Sequence, residues 1–437
     1  MNDNLHTFDP DEINLDNHPC FNKEICHDVG RIHLPVAPKC NIQCNYCNRK
    51  YDCVNESRPG VTSTTLSPGQ ALAYVEKVME NRGDIAVVGI AGPGDPMANV
   101  EETLKTFQLI RERFPKMILC LSTNGLGLTE EIVAELAKLK VSHITITINA
   151  VDPEIGANVY AWARHEKKIY RGERAGALMI ERQFQALRWI KEHGMIAKVN
   201  SIVIPGVNDE HIQEIAKKAA KIDADIMNCI PLLPTQDTAF EDLPEPDAKM
   251  RFRIRMQCGE HMSQMTHCAR CRSDAVGKLD EGLNDEAANL LQVCAQMPLN
   301  PHEHRPYVAV ATREGMLVNQ HLGEARTFSI FGIDPEDDEE FVCIDQREAP
   351  PTGGRTDRWL DVGNMLKDCR AILASAAGPT PKRILKKCGI EIVEMEGMID
   401  AGLNHIFHKE SLPPSFARQF ESCGKGVTCG GDGMGCG

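Results

Sequence analysis

The sequence predicts an α/β protein of two units, and three observations carry the prediction. Six short runs rich in β-branched residues alternate with helical patterns up to residue 230. A stretch with two prolines and no periodicity, QMPLNPHEHR at 296–305, interrupts the pattern. A fresh apolar strand at 307–312 then opens a shorter α/β stretch. Strands alternating with helices pair in parallel through right-handed crossovers, which gives an open sheet or a full or partial barrel. Loops at the C-terminal ends of such strands carry the chemistry.

The elements follow in order. Residues 1–30 are polar and aperiodic but contain Cys20 and Cys26, so they read as an arm ordered by ligation or docking. The six strands are expected at 31–37, 85–90, 118–122, 143–148, 198–204 and 225–230. Between them, Ala71, Val75, Val78 and Met79, and later Ile180, Phe184 and Leu187, recur at helical spacing. Ser67 to Gln70 and Asn99 to Glu102 read as capping boxes, and Thr129 and Asp209 as N-caps. The first unit is thus expected at 31–295, a linker at 296–305 and a second unit at 306–411. Within the latter, helices are expected near 358–367 and 381–387. Residues 412–437 end in ESCGKGVTCGGDGMGCG, glycine-rich and expected to be flexible.

Composition narrows the function. The 437 residues are 42% apolar and 25% charged, as in globular proteins. A formal charge of −14 disfavours binding to nucleic acid or anionic membranes. No run is long enough to span a membrane and the polar start has no signal core, so a cytoplasmic protein is expected. There are 18 cysteines, which in a reducing compartment points to metal or redox chemistry.

The sharpest motif is Cys40-Asn-Ile-Gln-Cys44-Asn-Tyr46-Cys47, just past the first strand. Three thiolates at this spacing can hold three corners of a 4Fe-4S cube and leave one iron open; a structural zinc loop would need a fourth ligand. The spacing, the strand before it and the aromatic before the last cysteine resemble the radical S-adenosylmethionine (SAM) enzymes. The resemblance implies a partial TIM-type (βα)6 barrel and a cluster whose open iron chelates SAM. The turn Ala91-Gly92-Pro93-Gly94-Asp95-Pro96 would then take the methionine amino group, although alone it reads as a plain βα loop. Thr123 and Asn124 end the third strand, and Thr145, Thr147 and Asn149 alternate along the fourth. They face a ligand or are satisfied core groups.

Cys258, Cys268 and Cys271 are three more thiols at cluster-like or zinc-knuckle spacing, while Cys20, Cys53 and Cys120 singly read as buried thiols. Together His18-Pro19-Cys20, the first trio, Glu56-Ser-Arg58-Pro59, 91–96, 145–149 and 268–277 resemble the NifB family of nitrogenase cofactor biosynthesis. The resemblance implies three 4Fe-4S clusters, one catalytic and two that are substrate. Cys40, Cys44 and Cys47 would hold the radical cluster. Cys20, Cys53 and Cys120 with His33, in competition with His18 and His27, would hold one substrate cluster, and Cys258, Cys268 and Cys271 the other. Glu56 and Arg58 would act near the reacting centre, or form a surface ion pair, and Arg272 and Asp274 would support the ligands.

The second unit resembles the NifX-like, ribonuclease H-like cofactor-binding domain through VAVATREGMLVNQHLGEARTFSI, and His321 is its candidate ligand or a solvated loop residue. Cys423, Cys429 and Cys436 match no motif. The implied partners are SAM, cluster-donating scaffold and cofactor-accepting assembly proteins, and a reductant such as ferredoxin. A non-catalytic cluster carrier is the competing class, but it would not need an open iron; another radical SAM enzyme would lack the His-Pro-Cys arm.

Overall fold

The computed structural model describes residues 13–50, 60–281, 285–301, 304–334, 340–351, 355–413 and 415–416. The chain divides into two compact units, Met1–Ala295 and Gln296–Gly437. No helix among the described residues is long and apolar enough to cross a membrane.

The first unit runs β1 (Gly30–His33), β2 (Ile42–Cys44), α1 (Pro68–Asn81), β3 (Ile85–Ile90), α2 (Val100–Arg113), β4 (Ile118–Thr123), α3 (Glu130–Lys138), β5 (Val141–Thr147) and α4 (Pro153–Val159). It continues through β6 (Tyr160–His165), β7 (Lys168–Tyr170), α5 (Glu173–Glu192), β8 (Ile196–Val203), α6 (Ile212–Ala220), β9 (Ile226–Pro231), α7 (Ala248–Gly259), β10 (Val276–Gly277) and α8 (Asp285–Gln296). Its main sheet has the order β10-β1-β3-β4-β5-β8-β9, in which the six expected strands lie parallel in chain order. β10 adds antiparallel to β1, and the sheet curls into an open half-barrel. The helices cover one face: α5 buries Met179, Phe184, Leu187 and Ile190 at helical spacing. Alternation along the strands leaves the other face to the site.

Helix starts show which local signals hold. Ser67 and Gln70 form the reciprocal capping box of α1, and Thr129 caps α3. The Asn99 box does not form, because the Asn99 amide bonds both the N–H and the carbonyl of Lys39 instead. Nor does Asp209 cap α6: its carboxylate accepts from Gly206 N–H, and the helix starts after His211.

A small sheet, β2-β6-β7, was not expected from the sequence. β2 pairs antiparallel with β6, Ile42 opposite Ala163 and Cys44 opposite Tyr160, so the cysteine motif is itself strand-paired.

The second unit comprises β11 (Tyr307–Val310), β12 (Leu317–Val318), β13 (Thr327–Ile333), β14 (Phe341–Glu348), α9 (Arg355–Met365), β15 (Cys369–Ala374), α10 (Pro379–Lys387), β16 (Glu391–Glu394), β17 (Gly397–Met398) and α11 (Ile399–Phe407). Its five-stranded sheet, β14-β13-β11-β15-β16, is antiparallel on one side of β11 and parallel on the other. Both faces are covered. Ala309 packs with Phe328 and Trp359, while Val308 and Val310 pack with Leu373 and Leu403.

Candidate active site

Cys40 follows β1, and Cys44 and Cys47 close the loop after β2. Pairing with β6 fixes its course, and the Gln43 amide donates to the Cys44 and Cys47 carbonyls at 3.0 and 2.7 Å. Burial pushes the Cys40 thiol up to about 12, with the negative charges of Asp95 and Cys47 adding to the effect. Cys44 also rises, from burial first and then from Cys47 and Cys40, so the three sulfurs are electrostatic neighbours. The Tyr46 hydroxyl bonds Cys44 and accepts from Asn149 Nδ2 at 3.1 Å. Asn149 in turn accepts from Ile202 N–H at 2.9 Å and is fully buried. These two residues orient the loop.

The 91–96 turn is fastened to the same loop. Gly94 N–H donates to Ala37 O at 2.6 Å and Asp95 N–H to Lys39 O at 2.8 Å. A Cβ on Gly94 would lie 2.1 Å from Lys39 O, so only glycine allows this approach. Gly92 and Pro93 pair with Ala37, and Gly92 also abuts Ser273. Asp95, Thr123 and Asn124 are bonded to one another and to the turn. The buried Asp95 carboxylate accepts from Met97 N–H, Thr123 Oγ1 and Asn124 N–H at 2.6–3.0 Å, and Asn124 Nδ2 donates to Asn41 at 2.7 Å. Sequence spacing shows a polar residue; it does not show that its partners are internal.

The inner face of the half-barrel holds a cavity of about 110 Å³. Its wall includes Cys20 from the arm, His33 from β1, Cys120 from β4, Thr145 from β5, Lys198 from β8, and Cys268 and Cys271. Thr147 is the last residue of β5, half-buried opposite Asn200, which also lines the cavity. Gly89 explains how His33 and Cys120 meet. It sits between them in the sheet, and a Cβ there would lie 2.7 Å from Cys120 Sγ and 3.2 Å from the His33 ring. Burial lowers the His33 imidazole to about 4. Its Nδ1 donates to Arg272 O at 2.9 Å, which leaves Nε2 with its lone pair, the arrangement of a ligating histidine. Arg272 is held in turn by Asp274, at 2.7 and 2.8 Å. Burial raises the Cys20 thiol to about 11 and Cys120 to about 12.

Other expected ligands separate from this group. His27 lies on the surface, bonded to Asp280 at 3.0 Å, and so leaves the competition for the nitrogen ligand. His18 stays in it: it lines the cavity, its Nδ1 accepts from Cys20 N–H, and its buried Nε2 has no hydrogen-bond partner. The structure does not bring Cys258 to Cys268 and Cys271. Its thiol lies 4.0 Å from Cys229, and Cys229 alternates with the cavity residues Asn228 and Ile230, which puts it on the opposite face of β9. In the second unit, His321 caps a short turn, Nδ1 accepting from Gly323 N–H at 3.0 Å. Cys53, Glu56, Arg58, Cys423, Cys429 and Cys436 lie outside the described residues. Lys198 was legible only as part of a strand; its signal is a polar Lys198 and Asn200 on one face of an otherwise apolar, buried run.

Residues 34–219 match the Radical SAM superfamily, and residues 304–408 match the family described as Dinitrogenase iron-molybdenum cofactor. Across 97% of this chain and 99% of the relative, the sequence is 51% identical to the FeMo cofactor biosynthesis protein NifB of Chlorobaculum tepidum. The chain belongs to the NifB family. It is also 39% identical to NifB of Klebsiella pneumoniae, over 86% of both chains, and 38% identical to NifB of Azotobacter vinelandii, over 86% of this chain and 84% of that one.

A NifB-family chain is a radical SAM enzyme of FeMo cofactor biosynthesis, with SAM and a 4Fe-4S cluster as its cofactors. The residues present fit that cluster, since three neighbouring thiols at one loop, Cys44 buried and Cys40 and Cys47 half-buried, are a donor set for iron, and ligation displaces their protons. No three described His, Cys, Asp or Glu side chains converge on a single metal ion.

Proposed function

We propose that this chain joins two 4Fe-4S clusters into an eight-iron core with a SAM-derived carbide and an added sulfur, the precursor of FeMo cofactor. The cavity supports this reading most directly, because it gathers Cys20, His33, Cys120, Cys268 and Cys271 on the inner face of the radical SAM sheet. Of these, Cys20, Cys120 and His33 come from the arm, β4 and β1, and two thiols with one imidazole suit a cluster that must be released as product, since the set is not closed by four thiolates.

The radical cluster and SAM supply a 5′-deoxyadenosyl radical. The protein's own groups position and shield. Cys40, Cys44 and Cys47 hold the radical cluster, and Tyr46 and Asn149 orient Cys44. Gly92, Pro93 and Gly94 offer backbone to the methionine end of SAM, while Thr145 and Thr147 face the substrate. Bound there, SAM would supply both the methyl group for a cluster sulfide and, from a second molecule, the radical that takes hydrogen from that carbon. Glu56 and Arg58 handle protons beside it.

Cys20, His33, Cys53 and Cys120 take one substrate cluster, and Cys268 and Cys271 belong to the second. The second unit receives the product, with His321 as a ligand, before it passes to assembly proteins. A ferredoxin-type reductant supplies electrons in the cytoplasm, and scaffold proteins supply clusters.

Anaerobic iron and sulfide content with EPR tests this. The protein should hold about 12 irons, and a Cys20, Cys53, Cys120 triple alanine variant about four fewer. Carbon from labelled methyl groups of SAM should enter the product. A wild type with only about four irons, unchanged in the variant, refutes the reading.

A further inference from the structure

We propose that Lys198 is the electrostatic anchor of the cavity, the fixed cation that retains an anionic iron-sulfur substrate between Cys20, Cys120 and Cys271. The proposal rests on the reading of the cavity as a cluster site.

Lys198 lies on β8, in the middle of the half-barrel, and is 8% exposed. Its side chain lines the cavity, yet its ammonium makes no hydrogen bond or ion pair among the described residues. It lies over the face of Phe21, 5.2 Å from the ring centre, on the arm that covers the cavity. No Asp or Glu among the described residues lines this wall, in a chain whose formal charge is −14. A buried, unpaired cation is costly unless an anion comes to it.

The surroundings point to the same anion. The positive charge of Lys198 acts on Cys20 and Cys120, opposing the upward push of burial on both thiols. Across the cavity, Arg31 is held by Gly277 O and by Lys278 O at 2.8 Å and donates to Cys271 Sγ at 2.9 Å. The buried Nε2 of His18, on the cavity wall, also lacks a hydrogen-bond partner among the described residues. A 4Fe-4S cube in its 2+ state with three thiolates carries a net charge of roughly −1, and its sulfides accept hydrogen bonds. The wall therefore presents the Lys198 ammonium and the His18 nitrogen to the outer surface of such a cluster. Arg31 is tied to carbonyls, and Arg270, the other cation of the cavity wall, is paired with Glu245 at 2.7 Å, so Lys198 is the cation left to follow the substrate.

The test uses the full chain, reconstituted anaerobically with iron and sulfide, as wild type, Lys198→Met, Lys198→Gln and Lys198→Arg. Readouts are iron per chain, the rate of iron release to an excess of a water-soluble phenanthroline chelator, and the midpoint potentials of the EPR-resolved clusters. Wild type should hold more than the four or so irons of the radical site. Methionine keeps the apolar stem over Phe21 but removes the charge. It should release the cavity irons at least about tenfold faster and make that cluster harder to reduce, with the SAM-responsive EPR signal unchanged. Arginine should restore retention, which a purely packing role for the stem would not predict. If the Met variant does not fold, the Gln variant must show the same loss. Equal release rates and potentials in wild type and a folded uncharged variant overturn the proposal. Absence of any cavity iron in wild type overturns the cluster reading itself, and wild type alone reveals it.

Discussion

Gly89→Ala separates the building of the cavity from the building of the fold. Gly89 lies on β3 between His33 and Cys120, and the added methyl would come 2.7 Å from Cys120 Sγ and 3.2 Å from the His33 ring. Both obstacles are side chains, so the sheet can keep its register while the thiol and the imidazole turn away. Overpacking of this size costs about 1–3 kcal/mol. At about 2–4 °C per kcal/mol for a unit of this scale, the melting temperature should fall by roughly 2–12 °C. The iron content should fall by about four per chain, out of proportion to the stability loss, because a cluster needs both ligands at once. Anaerobic differential scanning calorimetry and iron analysis on one preparation give both numbers. A stable Gly89→Ala protein with the full iron content and unchanged EPR would refute the argument that His33 and Cys120 must meet at this gap.

Gly94→Ala should be far more severe, since its methyl would meet the backbone of Lys39 and Ala37; expression without bound radical cluster or SAM cleavage is expected, and wild-type 5′-deoxyadenosine formation would contradict it. Tyr46→Phe removes one acceptor of Asn149 Nδ2 and the bond to Cys44 and should cost about 0.5–1.5 kcal/mol, shifting the EPR of the radical cluster while leaving the cavity irons in place. Arg82 holds Asp84 at 2.7 Å and Glu281 at 2.7 Å, and both carboxyls lie below their ordinary values chiefly through these bonds. Lowered folded pKa values give stability that is present above the unfolded values, about 4, and lost as pH falls through the folded ones. Arg82→Met should therefore flatten the acid limb of a urea midpoint-against-pH curve below about pH 4.5, by no more than about 1 kcal/mol for such partly exposed pairs.

The parallel sheet was legible because six buried strands are read as β-branched runs, and the Ser67–Gln70 box because its two partners are three residues apart. The β6–β7 hairpin was not: its turn is Glu166-Lys167, with φ of 48° and 65°, where Asn-Gly is the usual signal of positive φ. The internal bonds of Asp95 and the contact of Cys258 with Cys229 were not legible, because spacing along the chain says nothing about which face or which partner a side chain meets. Cys20, His33 and Cys120 were grouped only through the family resemblance; the register through Gly89 supplies the physical cause for the last two.

The arm that carries His18, Cys20 and Phe21 is a piece of the cavity's enclosure. It has no strand or long helix around Cys20, and its ties to the barrel include the bond between His267 Nε2 and Pro19 O at 2.9 Å. If Cys20 holds the proposed substrate, emptying the chamber requires the chain to withdraw a ligand and open the wall in one motion. Cargo residence time then becomes a property of local backbone opening, readable as amide-hydrogen exchange at 18–22 that slows when the chamber is filled.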